Sequence, residues 1–293
     1  MGRRAPGLRQ AGHSAMSGSI GTETGATIEA PAGMNATRMP GLANLRAVIL
    51  PVGLALFLLL LWQAAVVVGK VPPVILPSPL STLGYILAHW DILLTHAIPT
   101  TLESVAGFAL ATVLGIALAI LITYSRLARE ALYPNLVFFQ LIPKIALAPL
   151  FIIWLGIGTQ SRIAFAVFIA FFPVVIATSA GLLSADRGML RLCRSLTASE
   201  GQVFFHVRFP AALPYMFSGM KVAVTLAIIG VIIGEFITAQ AGLGYLIIFA
   251  TARADTEVSM AAIVVLCACG LLLYGLVALA ELITNRIYSA DPR

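Results

Sequence analysis

Residues 132–156 read LYPNLVFFQLIPKIALAPLFIIWLG, and whether they cross a bilayer decides between five membrane helices and six. The strongly apolar part between Lys144 and Arg162 runs only from Ile145 to Leu155. At 1.5 Å per residue that is about 17 Å, too short for a hydrocarbon core of about 30 Å. Extension upstream to Leu132 gives about 25 residues through Gly156, long enough to span. This reading puts Pro143, Lys144 and Pro149 inside a kinked helix. Five further spans read clearly on either side: Ala47 to Val68, Val105 to Tyr124, Ile163 to Leu183, Tyr215 to Ile237 and Met260 to Ala280. The expected fold is all-α, a polytopic membrane bundle of six transmembrane helices.

Composition agrees with that count. The chain has 293 residues, 60% hydrophobic and 10% charged, against roughly 25% charged in soluble proteins. Six spans leave no room for a sizeable soluble domain. Residues 1–46 have no apolar period and carry Arg3, Arg4, Arg9, Arg38 and Arg46, so they read as a disordered basic tail. The membrane body is 47–287, with a long connection at 184–214 and a terminus at 288–293. The first apolar run is span-length, which reads as a retained anchor and not a cleaved signal. With the N-terminus inside, thirteen arginines fall on the cytoplasmic segments, against Lys70, Arg162 and Arg253 outside. The positive-inside rule then places both termini in the cytoplasm. The net charge of +6 follows from this asymmetry, and no soluble basic surface exists for nucleic acid. Cys193, Cys267 and Cys269 show no CxxC spacing and support neither a disulfide framework nor a metal site.

Ser184 to Pro214 is too long for a turn and too amphipathic for a floppy linker. Thr197 with Glu200, or Ser199 with Gln202, fits a capping box at a helix start. A short helix is expected to run to about Val207 and to be stopped by Pro210 and Pro214. Val203, Phe204, Phe205 and Val207 give it more apolar surface than it can hide on itself. Either the membrane interface covers them or a cytoplasmic partner does.

The run Leu192-Cys193-Arg194-Ser195-Leu196-Thr197-Ala198-Ser199, followed by Val207-Arg208-Phe209-Pro210 and Ala211-Ala212-Leu213-Pro214, resembles the EAA loop of ABC importer permeases. Arg191, Leu192 and Cys193 stand where that pattern has Glu-Ala-Ala, and Thr197 where it has Gly. Val207-x-Phe209-Pro210 stands for Ile-x-Leu-Pro. Leu76-Pro77-Ser78-Pro79, Thr101-Leu102-Glu103, Trp154 to Gly158, Phe171-Phe172-Pro173, Gly234-Glu235-Phe236 and Gly242-Leu243-Gly244-Tyr245 extend the resemblance from about Leu45 to Ile287. It is to the nitrate/sulfonate/taurine branch. Gln140 to Lys144 with Ala148-Pro149-Leu150 is more similar to permeases for thiamin-pyrimidine precursors or riboflavin.

The resemblance implies a type I importer permease whose Thr197, Ala198, Ser199, Glu200, Val203, Phe204, Phe205, Val207 and Pro210 couple to a separate cytoplasmic ABC ATPase. It further implies a second permease copy and a periplasmic or surface-tethered solute-binding protein. ATP and Mg would bind the partner ATPase. The chain itself agrees, since its Gly69-Lys70 pair is followed by Val71 and makes no GxxxxGK[ST] phosphate loop. Of the ionisable groups in spans, Lys144 is expected with Gln140 on the translocation path, the alternative being that its stem snorkels to the cytoplasm. Glu235 is expected near the outer end, lining an outer gate or reaching interfacial water. Lys221 is expected to snorkel. His89 and His96 fall on the outer connection, and residues 239–256 are expected to form a re-entrant or outer-surface hairpin. The rival functions are an ion-gradient transporter, which wants midplane carboxylates, and an intramembrane enzyme, which needs a nucleophile with a base. Neither constellation is evident.

Overall fold

The structure, a computed structural model, describes residues 40–238 and 240–289. Residues 1–39 of the expected tail and the last four residues of the chain lie outside the described residues. Contacts divide the chain into two units, Met1–Gly53 and Leu54–Arg293. The first helix, α1 (Pro40–Val68), runs through the boundary, so residues 40–46 are helical and not tail. The described residues then form α2 (Pro79–Ala88), α3 (Trp90–Tyr124), α4 (Arg126–Leu141), α5 (Ala148–Leu155), α6 (Thr159–Leu183), α7 (Arg187–Ser195), α8 (Glu200–Val203), α9 (Phe209–Thr238), α10 (Leu243–Ala252) and α11 (Thr256–Ser289). No strand occurs among them. From Leu54 onward α1 leaves nearly every apolar side chain exposed, as a lipid-facing helix does.

At the core is α6, between α3 and α9. Ala166, Ala170 and Val174 of α6 meet Ala111 of α3 and Ala223, Ala227 and Val231 of α9. Small residues bring these backbones close. A Cβ added at Gly230 of α9 would lie 2.7 Å from the Ala166 Cα, and one at Gly115 of α3 would lie 2.8 Å from the Val174 Cβ. A second cluster joins α9 to α10, α11 and the start of α3 through Leu93, Ala97, Val224, Ile228, Leu243, Leu246 and Ala261.

Two span readings change. Helix α3 starts at Trp90 and not Val105, because Pro99 sits inside the helix without ending it; at 35 residues it is about 52 Å long. Residues 132–156 are not one continuous helix. Helix α4 ends at Leu141, Lys144–Leu147 make a 3-10 turn, and α5 follows with the pair bent by 91°. Five helices are long and apolar enough to cross a membrane, six if the bent pair counts as one. Ile142 is extended (ψ 134°), as a residue before proline prefers. Pro143 lacks the N–H that would continue α4.

We expect Gly230→Val to push α9 off α6 and lower the thermal midpoint of the detergent-purified protein, overpacking costing about 1–3 kcal/mol or more. Gly275→Val, which meets nothing within 4 Å, should leave it unchanged.

Candidate functional site

The connection between α6 and α9 holds the chemistry the sequence singled out. Asp186 caps α7 by accepting from the Met189 N–H at 2.7 Å. Helix α7 ends in a Schellman arrangement: the Ala198 N–H bonds the Cys193 carbonyl and the Thr197 N–H the Arg194 carbonyl. That motif needs a left-handed residue, and Thr197 takes it with φ 55°. This is the position at which the resembled pattern has glycine. Ser199 then starts α8, accepting from Gln202 N–H at 3.3 Å while the Gln202 side chain accepts from Ser199 N–H at 2.8 Å. Of the two capping boxes open in the sequence, the structure forms Ser199–Gln202.

Pro210 and Pro214 do not stop this helix. A π turn at Phe204–Arg208, closed by Phe209 N–H to Phe204 O, carries α8 into α9, and Glu200–Thr238 is one 39-residue rod. The extra residue in the π turn gives the Pro210 ring room where it would meet the carbonyl one turn back. Val203 is buried and Phe204 half-buried, its ring against Tyr124, Phe205 and Phe209. Val207 and Pro210 are half-buried as well. Arg208 fastens the turn to the bundle by donating to Leu182 O at 3.1 Å, with its guanidinium over Tyr124. Thr197, Ser199, Glu200 and Phe205 stay exposed, and Ala198 is half-exposed. Helix α7 buries nothing: Met189, Leu192 and Leu196 are exposed, as are Arg187, Arg191 and Arg194. The outward surface of the loop is thus α7 and its turn, more than the segment after Val203.

Gln140 and Lys144 come together at the corner between α4 and α5. The Lys144 ammonium donates to the Gln140 carbonyl at 3.1 Å and lies 5.1 Å over the Phe172 ring. Lys144 is half-buried and the Gln140 side chain exposed. Lys144 is therefore not midway along a helix; it starts the turn that replaces one.

At the other end of the bundle, Glu235 neither opens to a gate nor reaches the interface, being 2% exposed. Its carboxylate accepts from the Thr100 hydroxyl at 2.7 Å and the Gly244 N–H at 2.7 Å. Thr100 Oγ1 also accepts from Leu243 N–H at 2.8 Å, and His96 Nδ1 accepts from Gly242 N–H at 3.1 Å. Three successive amides at the start of α10 are thus held by side chains of α3 and α9. Gly242 (φ 113°) and Gly244 are obligatory here, since an added Cβ would lie 2.2 Å and 2.8 Å from the Glu235 carboxylate. The segment expected as a short hairpin is this docked helix.

Two ion pairs were not legible, since their partners lie some 60 residues apart. Glu103 of α3 takes Arg162 of α6 by two bonds, at 2.5 and 2.7 Å, so Arg162 is not an ordinary outer-loop charge. Lys221 of α9 does not snorkel; it binds Glu281 of α11 at 2.5 Å. Among the described residues no His, Cys, Asp or Glu group could hold a metal ion.

Residues 111–287 match the family described as the binding-protein-dependent transport system inner membrane component. The chain belongs to this family. A probable ABC transporter permease protein of Haemophilus influenzae is 37% identical over 217 residues, 74% of this chain and 89% of the relative. The formylaminopyrimidine transport permease protein ThiX of Halalkalibacterium halodurans is 37% identical over 192 residues, 65% and 76% of the two chains. The riboflavin transport system permease protein RibX of Chloroflexus aurantiacus is 35% identical over 237 residues, 79% and 87%. The solved MetNI methionine ABC transporter, inward-facing, shares the fold at a TM-score of 0.56 and 22% identity, over 70% of this chain and 98% of that one.

The permease is a multi-pass inner-membrane subunit that forms the translocation path of an ABC importer. It is a transport component without an ATPase site and works with a separate ATPase and a solute-binding protein. The ion-gradient and intramembrane-enzyme readings fall away.

Thr197→Gly should relieve the left-handed β-branched residue by about 1 kcal/mol, read as roughly fivefold slower amide exchange at residues 197 and 198. Glu235→Ala strips acceptors from Thr100 and Gly244 and should destabilise the protein by about 1–3 kcal/mol or more, with faster exchange confined first to α10. Glu235→Gln keeps one acceptor oxygen and should sit between the two in a thermal unfolding series.

Proposed function

We propose that α7, its Thr197 turn and the start of the Glu200–Thr238 rod couple this permease to its ATPase, with both termini and this loop in the cytoplasm. The observation that carries the reading is mechanical. An exposed helix with no buried residue is joined, through a capped turn, to a rod of 39 residues that runs the depth of the bundle. A push on α7 has a stiff element to act on. Thr197, Ala198, Ser199, Glu200 and Phe205 form the contacting side, and Val203, Phe204, Val207 and Pro210 lock the rod to α3 and α6. Two copies pair around the path, with the corner at Gln140 and Lys144 on its wall and Glu235 fixing α10 at the outer mouth. Closure of the ATPase dimer drives the rods between outward-open and inward-open states. The arginine asymmetry between the two sides supports the orientation.

The cargo is a small organic solute delivered by the binding protein. Relatives named for formylaminopyrimidine and riboflavin are more similar to this chain than those named for aliphatic sulfonates, which are 29% and 32% identical. This favours a pyrimidine- or flavin-like solute.

Co-purification tests the coupling. Leu192→Asp and Phe205→Asp put charge on the exposed side and should lose the ATPase while the permease still folds. Phe204→Asp buries a charge in the permease itself and should lower its yield and thermal midpoint. Full retention of the ATPase by Leu192→Asp and Phe205→Asp would remove α7 and its turn from the interface.

A further inference from the structure

Helix α9 shows a polar stripe within an apolar span. Ser218, Lys221 and Thr225 recur at three- and four-residue spacing, which places them on a single face. Lys221 lies 12 residues beyond Phe209 and Glu281 eight before Ser289, about 18 and 12 Å from the loop-side ends of their helices. A cavity of about 390 Å³ opens on this face, lined by Ser218, Lys221, Val222, Thr225, Leu226 and Tyr274. Its size is that of a small-molecule pocket. It is separate from the corner at Lys144 and from the Glu235 cluster.

We infer that this cavity is a solute subsite on the translocation path, and that it takes a compact, uncharged, hydrogen-bonding ring compound. Polar side chains within a span face the bundle interior or a water-filled space, and Ser218, Val222 and Thr225 are exposed on the single chain. The stripe therefore borders a space that the permease keeps wet. Its charge is balanced: the Lys221 ammonium is held by Glu281 at 2.5 Å. An anionic solute would have to compete with that carboxylate for Lys221, whereas a neutral one can accept from the ammonium hydrogens that Glu281 leaves free on the cavity wall. The Ser218, Thr225 and Tyr274 hydroxyls add hydrogen-bonding groups, and Val222 and Leu226 form an apolar wall against which a flat ring packs. The subsite rests on the reading that the permease alternates between outward-open and inward-open states.

The test uses the whole importer in proteoliposomes, with Cys193, Cys267 and Cys269 replaced by serine and single cysteines introduced as Ser218→Cys, Val222→Cys or Thr225→Cys. A small charged methanethiosulfonate reagent should label them, in the nucleotide-free or the vanadate-trapped state, within about tenfold of the rate at Arg126→Cys, whose side chain is 90% exposed and lies outside the α7 surface, because lipid excludes a charged reagent. Rates more than about a hundredfold slower in both states would show a lipid-facing ion pair and overturn the proposal. Cytosine, an uncharged aminopyrimidine, should slow the labelling several-fold while methanesulfonate does not. Equal protection by methanesulfonate overturns the solute class, and protection by neither overturns the subsite. Retention of the ATPase by the same variants reports separately on the coupling, so that reading can stand while this one falls.

Discussion

Lipid gives apolar helices no hydrophobic reason to associate, so the bundle depends on how closely α6 approaches α3 and α9. Ala166 on α6, with Gly107 of α3 and Gly230 of α9 against it, brings backbones to distances at which a single added methyl group collides. Dispersion and interhelical hydrogen bonds then supply what water would supply elsewhere. The Glu103–Arg162 pair, with side-chain exposures of 7% and 12%, belongs to the same contact. Its charges are matched by two bonds and lie where α6 begins. Removing one partner leaves the other buried and uncompensated, which typically costs about 3–5 kcal/mol.

Much of the architecture was legible because membrane helices obey one-dimensional rules. Composition and run length located the membrane-crossing parts of α1, α6, α9 and α11, since a span needs a fixed apolar length, while the helices themselves run up to nine residues further. The errors have a common cause, which is proline. Pro99 lies in the first half of α3 without ending it, Pro210 is absorbed by a π turn, and Pro143 breaks a helix through a right angle. Sequence says that a proline removes a donor. It does not say whether neighbouring helices or a local change of helical pitch will absorb the defect.

The functional end shows the same division. The Ser199–Gln202 cap is local, and spacing offered it as one of two; the left-handed turn at Thr197 showed only as a departure from the glycine of the resembled pattern. Which of Val203, Phe204 and Phe205 would face outward was not legible, because Tyr124 from another helix decides it by covering Phe204. Glu235 was noticed for its depth, yet its role follows from Thr100 and Gly244, brought together from three separate stretches of chain. The Lys221–Glu281 pair escaped notice for the same reason.

The unbroken run from Glu200 to Thr238 has a consequence for timing. One end of it meets the turn that follows α7 and the other carries Glu235, the carboxylate that holds α10 in place. A helix continuous through its π turn and Pro214 joins the near end to the far end without a break. Its two tips tilt in concert, so movement at the turn after α7 reaches the cap that holds α10. On the alternating-access reading, one covalent element thereby ties the opening of one mouth to the closing of the other, with no messenger between them.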